Sequence, residues 1–535
     1  MNPLFLESAA CQPHWQKVGR GHHHGLLIPL FSLQSKTSCG IGEYLDLLPL
    51  IGWSQQLGCD LLQLLPLNDT GGGASPYSAI SAFALNPLHL TLGALPEVES
   101  DRLLQEELRQ LQLFYKGAKR ERVHYEWVSR SKRLFLGQYL QRHGHSLSKS
   151  SGYGQFCKNN QFWLPSYCLY KTLKACYEER SWEQWPQEVR SLSSERLEGL
   201  LAEHTESCEK QALIQYLCFI QLHEVALEAQ KQKVLLKGDL PILVARDSAD
   251  VWHWPHLFEL GYNVGAPPDY YSSTGQDWGV PLYSWEGHRN EHYLWWKERL
   301  RYASSFYELY RIDHAVGLFR LWAIPKGAPG HEGAFSPPEW NRWIPEGEER
   351  LRQLLGATSM LPIGEDLGSV PPQVRNCMAR LGVCGTKVLR WERDWQGDGH
   401  FLKSDTFSPF SLCTLSTHDT DSLRGWWSHA REEAEQLCNE RGWHYEQPIS
   451  YSYHRALLEE SHQGSSLFHV NLLQDYLGLF PELVVADPEG ERVNQPGTVS
   501  DKNWSCRFLP LVEELTAHRP LAQLLEELTS SRRFC

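Results

Sequence analysis

Three short stretches of the sequence place carboxylates beside other side chains that could do chemistry. In the first, Arg311 and Asp313 are separated by one residue, and His314 follows. Residues two apart on a strand point to the same face. We therefore expect the guanidinium beside the Asp313 carboxyl, where it would lower the carboxyl pKa and keep a possible nucleophile ionised. Taken alone, the pair is better explained as a structural ion pair.

The other two stretches also contain acids, and each can be explained by a structural role or by a catalytic one. Glu365 and Asp366 lie between two glycines, where one acid could be a general acid whose proton is held by nearby negative charge. Taken alone, this stretch is better explained by an acid at a helix N-cap. The third stretch places His418 beside Asp419.

The elements that must position these stretches are short apolar runs, each ending in a polar cluster. The runs cover residues 59–67, 233–244, 306–312, 359–364, 386–389 and 411–415. Nearly continuous apolar runs are typical of parallel strands covered on both faces. Helical patterns such as 348–355 and 371–381 lie between them. This alternation predicts an α/β fold, a (β/α)8 TIM barrel, with the polar clusters at the carboxyl ends of the strands.

On one barrel face, the three carboxylate stretches together can provide a nucleophile, a general acid/base and a third acid. Retaining glycoside chemistry uses two carboxyls roughly 5–5.5 Å apart. The sequence contains no H-E-x-x-H metal motif, no phosphate-binding Walker loop and no G-x-S-x-G element.

We interpret residues 1–535 as one catalytic domain. Two stretches interrupt its alternation of strands and helices. Residues from about 93 to 230 are mostly helical and charged, with Leu213, Leu217, Ile220 and Leu227 at helical spacing. They are predicted to form an inserted helical subdomain on the catalytic face. Residues from about 261 to 287, rich in Gly, Pro, Tyr and Trp, are predicted to be an irregular active-site lid loop.

Composition narrows the function classes. The net charge of −13 and the lack of a basic block argue against a nucleic-acid partner. No stretch has the length and apolarity of a membrane span, and the start has no signal-peptide pattern. The 14 scattered cysteines indicate reduced thiols, so we expect a cytoplasmic protein. Three adjacent histidines at 22–24 are interpreted as a solvated turn.

At these residues the sequence resembles glycoside hydrolase family 77, the 4-α-glucanotransferases called amylomaltases or disproportionating enzymes. The resemblance is collinear over nearly the whole chain. It is carried by the blocks GIGEYLDL (40–47), SPYSAISAFALNPL (75–88), LKGDLPILVARDSADVW (236–252), GAPPDYYSSTGQDWGVPLYSW (265–285), RIDHAVG (311–317), GEDLG (364–368), STHDTDSLRGWW (416–427), NLLQDYLGL (471–479) and RVNQPGTVSDKNWSCRF (492–508).

The resemblance implies roles for particular residues. Asp313 would be the nucleophile, Glu365 the acid/base and Asp419 the transition-state stabiliser. Substrate contacts implied in the same way are Ser75, Tyr77, Asp269, Trp278, Arg311, His314, His418 and Asn494.

The implied reaction is transfer of a glucan segment, or of glucose from maltose, by double displacement. Maltose, maltooligosaccharides and glycogen are the expected substrates, and no metal or organic cofactor is expected. A lid of Tyr270, Tyr271 and Trp278 stacking on glucose rings could exclude water and favour transfer. The chain departs from the commonest family pattern at Val280 and at Ala315-Val316, which bears on donor and acceptor preference.

Two alternatives remain open from the sequence. An α-glucan hydrolase would use the same acids in a wetter cleft. A non-catalytic glucan-binding protein on a barrel fold would have lost one of the acids, and all are present here. The sequence does not specify the oligomeric state.

Overall fold

The computed structural model describes residues 9–117, 121–268 and 274–530. The strands in this part of the chain are β1 (His23–Ile28), β2 (Leu61–Leu64), β3 (Leu235–Leu240), β4 (Phe258–Ala266), β5 (Gln276–Tyr283), β6 (Leu309–Ile312), β7 (Leu321–Pro325), β8 (Ala334–Ser336), β9 (Leu361–Gly364), β10 (Gly385–Val388), β11 (Ser411–Thr414) and β12 (Phe468–Leu472).

Eight of these strands form a parallel barrel, in the order β10-β11-β12-β1-β2-β3-β6-β9. A further parallel bridge from Ile363 in β9 to Cys384, just before β10, brings the two edges together. Strands β1, β2, β9, β11 and β12 are buried along their whole length, because apolar side chains cover both faces of the sheet. The predicted TIM barrel is confirmed.

Helices surround the barrel and fill the connections between its strands. They are α1 (Gln12–Val18), α2 (Leu47–Gln56), α3 (Arg102–Gly117), α4 (Tyr125–Ser148), α5 (Ser151–Asn159), α6 (Leu164–Cys176), α7 (Gln187–Arg190), α8 (Ser194–Glu203), α9 (Thr205–Gln232), α10 (Ala249–His253), α11 (Trp285–Asn290), α12 (Leu294–Ala303), α13 (Trp340–Ala357), α14 (Pro372–Leu381), α15 (Leu423–His429), α16 (Arg431–Arg441), α17 (Tyr451–Gln463), α18 (Leu473–Leu477), α19 (Val512–Ala517) and α20 (Arg519–Ser530). Within the described ranges, no helix has the length and apolarity needed to cross a membrane.

The long connection between β2 and β3 contains the helices α3 to α9. In α9, Leu213 and Leu217 are buried, as a helical stripe requires, whereas Leu227 near the end of the helix is 52% exposed. The interpretation of residues 93–230 as an inserted subdomain stays a prediction.

The segment 261–287 is more regular than its composition indicates. It contains most of β4 and all of β5, which pair antiparallel in a four-stranded sheet of order β5-β4-β7-β8. A Cβ atom at Gly265 would lie 1.8 Å from the main-chain oxygen of Gln276, so this glycine permits close strand pairing rather than a loop. The prediction of an irregular segment is therefore wrong for these strands. The lid role stays a prediction.

The prediction of a solvated turn at residues 22–24 is wrong for His23 and His24, whereas His22 precedes the strand and is exposed. His23 and His24 begin β1 and are each 6% exposed. His23 Nδ1 lies 2.8 Å from an Asp60 carboxylate oxygen, and His24 Nδ1 lies 2.8 Å from Nδ1 of His462. These contacts give the Nδ1 atom of each buried imidazole a polar partner.

Candidate active site

Arg311 forms the centre of a carboxylate cluster at the carboxyl ends of the barrel strands. It lies in β6, and its Nη1 donates to Asp313 Oδ1 at 2.8 Å, so the expected pairing is present. The same nitrogen lies 3.0 Å from both carboxylate oxygens of Asp239 in β3. Arg311 Nη2 is 3.8 Å from Glu365 Oε2. One guanidinium is therefore shared by three carboxylates, which brings the acids that follow β6 and β9 together.

Main-chain amides hold the Glu365 carboxyl in place. Glu365 follows β9 directly, and its Oε2 accepts a hydrogen bond from His314 N at 2.8 Å. Its Oε1 accepts one from Leu367 N at 2.9 Å. His314 has a φ of 43°, the left-handed conformation that non-glycine residues seldom adopt. This backbone conformation at the site is strained and is held by the surrounding structure.

A second group of side chains surrounds Asp419, beyond the end of β11. Asn494 Nδ2 donates to Asp419 Oδ1 at 2.7 Å, and His418 Nε2 lies 3.3 Å from Asp419 Oδ2. The Tyr77 ring stacks on His418 with centroids 5.2 Å apart. The Tyr77 hydroxyl donates to Asp239 Oδ2 at 2.6 Å, which links this group to the Arg311 cluster.

The three acids are in different electrostatic environments. Burial raises the pKa of Glu365 to about 7, against the opposing pull of Arg311. Burial also raises the pKa of Asp313, although Arg311 and His418 pull it down. For Asp419, burial acts upward but is outweighed by His418 and Asn494, which lower its pKa to about 2. Arg311 lowers the pKa of Asp313 as expected, but desolvation is the larger effect and the net shift is upward.

One cleft of about 740 Å³ collects the predicted residues that the structure describes: Ser75, Tyr77, Trp278, Arg311, Asp313, His314, Glu365, His418, Asp419 and Asn494. Trp278 is 37% exposed and meets the His314 ring edge to face at 5.1 Å. Asp269, Tyr270 and Tyr271 lie outside the described residues.

Sequence reasoning missed Asp239. Its side chain is fully buried and accepts hydrogen bonds from Arg311 and Tyr77. An acid at the end of an otherwise apolar run was the available signal, and it is the same signal that indicated Asp313. Trp504 was missed as well: it packs beside Tyr77 and His418 at 5.5 and 5.8 Å.

Two groups among the described residues have metal-ligand types close together: Asp394 with Asp398 and His400, and Asp421 with His429 and Glu489. Neither group includes a residue that lines the cleft. Asp421 is also paired with Arg492 at 2.7 Å, which disfavours a cation there.

The family model described as 4-alpha-glucanotransferase, Glyco_hydro_77, matches residues 28–512. The chain belongs to the 4-alpha-glucanotransferase family. It is 40% identical over 532 residues to the 4-alpha-glucanotransferase of Chlamydia muridarum, covering 98% of each chain. It is 41% identical over 530 residues to that of Chlamydia pneumoniae, covering 99% of each chain.

Among solved structures, amylomaltase from Streptococcus agalactiae in complex with acarbose has a TM-score of 0.78 to this chain. It is 23% identical in sequence and the match covers 95% of this chain and 99% of that one. At this identity the likeness supports the fold that the family shares.

Proposed function

We propose that this chain is a 4-α-glucanotransferase that transfers part of an α-1,4-glucan to the 4-hydroxyl of an acceptor sugar, with retention of configuration. The observation that carries the proposal is the placement of Asp313 and Glu365 on one guanidinium in the cleft, which Asp419 also lines. In a chain of this family, that arrangement supplies the nucleophile, the proton and a third acid for glycosyl transfer.

In the first half of the reaction, Glu365 gives its proton to the glycosidic oxygen as the bond from that oxygen to the anomeric carbon breaks. Asp313 Oδ attacks the anomeric carbon and forms a glycosyl ester. The proton assignment follows from position: Asp313 lies 2.8 Å from the guanidinium, whereas Glu365 lies 3.8 Å from it. The nearer carboxyl is favoured as the ionised partner, and Glu365, with its pKa raised to about 7, keeps the proton.

In the second half, the ionised Glu365 takes the proton of the acceptor 4-hydroxyl. That oxygen attacks the anomeric carbon and displaces Asp313. The two main-chain donors on Glu365, from His314 and Leu367, support this role because they fix the carboxyl in both protonation states.

Asp419 and the side chains around it are suited to bind the donor sugar. With its pKa lowered to about 2, in spite of burial, by His418 and Asn494, Asp419 accepts hydrogen bonds from ring hydroxyls. Such contacts favour the reaction when they strengthen as the ring distorts. The His314 imidazole is held neutral by burial, which lowers its pKa to about 4, so it can both donate to and accept from a hydroxyl.

Transfer requires an acceptor sugar to outcompete water. Trp278 at the mouth of the cleft offers an aromatic face on which a glucose ring can stack, which supports sugar occupancy next to the ester. Maltose, maltooligosaccharides and glycogen fit this chemistry as substrates. The cysteines in the described ranges are free thiols, in keeping with a cytoplasmic location.

The test is the product profile from maltotriose, and from maltose with glycogen as acceptor. Transfer produces a ladder of longer and shorter chains with little net gain of reducing ends. A steady gain of reducing ends identifies a hydrolase instead. Binding without turnover identifies a glucan-binding protein and overturns the proposal.

A further inference from the structure

Lys237 is a buried lysine beneath the catalytic carboxyls that the mechanism above does not use. It lies in β3, two residues before Asp239, and is 1% exposed. Its Nζ donates to Gln63 Oε1 of β2 at 2.9 Å. Throughout the described ranges, no carboxylate lies within the 4.0 Å ion-pair distance of this ammonium.

A second buried lysine shows how unusual this arrangement is. Lys132 is also 1% exposed, but its Nζ lies 2.6 Å from a carboxylate oxygen of Glu43 and 2.7 Å from Leu90 O. Buried charges are normally paired in this way, because an unpaired charge loses its hydration without compensation. Lys237 therefore lacks the direct partner that Lys132 has.

The position of Lys237 links it to the site. Lys237 and Gln63 line the lower part of the same cleft as Asp313 and Glu365. Since alternate residues of a strand share a face, the Lys237 and Asp239 side chains lie on the same face of β3, with Cα atoms about 7 Å apart. Asp239 in turn holds Arg311, which contacts both catalytic carboxyls. At this separation in a buried site, charges interact appreciably.

The charge of Lys237 depends on pH in the range where the site works. Burial lowers the pKa of Lys237 to about 7; Arg311 lowers it further, and Asp239 and the Cys384 thiol act in the opposite direction. These are the charged and titratable groups that act on it. The ammonium is therefore charged below about pH 7 and neutral above it.

We propose that Lys237 is a positioning residue that sets the acid limit of glycosyl transfer: its positive charge, acting across Asp239 and Arg311, favours the ionised form of the Asp313 nucleophile. This inference rests on the proposed function. It gives a buried lysine inside the barrel a part in the reaction, although Lys237 does not touch the reacting atoms.

Lys237→Met tests this, because methionine fills the same space without charge. A positive charge favours carboxylate ionisation, so its removal moves the acid limb of the pH profile of kcat/KM upward, by about one pH unit. When each enzyme's activity is expressed relative to its own value at pH 7, the activity of Lys237→Met at pH 5 is about tenfold lower than that of the wild type. At pH 8 the change is small, because the wild-type lysine is already neutral there.

Two further variants separate this effect from a loss of packing. Gln63→Glu places a carboxylate against the ammonium and is expected to move the acid limb in the same direction, which keeps the test valid if Lys237→Met does not fold. Lys132→Met is the matched control: it removes a buried lysine remote from the cleft, so it lowers thermal stability and leaves the normalised pH profile unchanged.

The inference is overturned if the normalised pH profiles of Lys237→Met and Gln63→Glu superimpose on that of an active wild type, or shift downward. Either result leaves the proposed function standing. A wild type that makes no longer glucans from maltotriose overturns the proposed function first. An upward shift in both variants, absent in Lys132→Met, supports the assignment.

Discussion

The two ends of the barrel both gather titratable side chains beside a cavity, yet they differ in how those side chains are partnered. At the amino ends of the strands, a cavity of about 460 Å³ is lined by residues that include His22, His24 and Asp60. There His24 bonds to His462, whose Nε2 lies 2.7 Å from the Tyr476 hydroxyl. At the carboxyl ends, several carboxylates share one guanidinium.

The difference shows that a cluster of polar residues is not by itself an active site. His24 and His462 partner each other, and His462 is neutral, since burial and His469 lower its pKa to about 3. The carboxylates exceed their cation, so at least one of them must hold a proton or act on a ligand. The predictions below test this distinction, in order of decreasing expected effect on activity.

Asp313→Asn tests the acid bonded most closely to Arg311. We expect the loss of at least about a thousandfold in kcat for maltotriose disproportionation, because the amide cannot form the glycosyl ester. Maltotriose binding, followed by tryptophan fluorescence, should persist. Activity near the wild-type value would remove Asp313 from the nucleophile role.

Glu365→Gln tests the acid whose pKa is raised to about 7. In the wild type, the proton is present below about pH 7 and lost above it, so activity should fall as pH rises through that value. The variant should lose about 10²–10⁴-fold and lose this basic limb. Formation of the ester from α-maltotriosyl fluoride, whose leaving group needs no proton, should be largely restored. No such rescue would count against Glu365 as the acid.

Asp239→Asn tests the buried acid that sequence reasoning missed. It removes one of the charges that hold Arg311 and Tyr77 in place, and a small displacement of catalytic groups can lower kcat by about 10²-fold. We expect most of the loss in kcat rather than in KM. The matched control is Asp250→Asn, at a buried acid bonded to Trp295 outside the cleft, which should affect stability and not kcat.

His462→Gln tests the opposite end of the barrel. Its imidazole bonds to His24 and Tyr476, and losing one buried partner should lower the free energy of unfolding by about 1–3 kcal/mol. Thermal unfolding measures this change, while kcat/KM should stay within about twofold of the wild type. A large loss of activity at unchanged stability would contradict the contrast between the two ends.

The barrel was predictable because most of its strands appear in the sequence as short apolar runs with polar residues at their ends. Two barrel strands were not recognised, β1 and β12. β1 begins with histidines, and the polar residues His469 and Asn471 lie within β12. A hydropathy pattern does not show that His24 in β1 and His462 in α17 bond to each other. That information lies in tertiary contacts.

The candidate site could be predicted from polar residues near strand ends: Asp313 and Glu365 directly follow β6 and β9, and Asp419 lies five residues after β11. What the sequence did not reveal was the balance of burial against charge. The Arg311–Asp313 spacing correctly indicated their hydrogen bond, but not that desolvation would raise the pKa of Asp313. Burial depends on every element around the cleft, and local spacing carries no information about it.

The Glu365 carboxyl is 13% exposed and is bonded to main-chain nitrogens. In the proposed cycle, the proton it donates to the leaving sugar is recovered from the incoming sugar. The proton on Glu365 can thus be renewed at each turnover from a sugar hydroxyl, without exchange with bulk solvent. Steady-state transfer should then be indifferent to buffer concentration, and a glucan acceptor can take the place of water as both the nucleophile and the proton source.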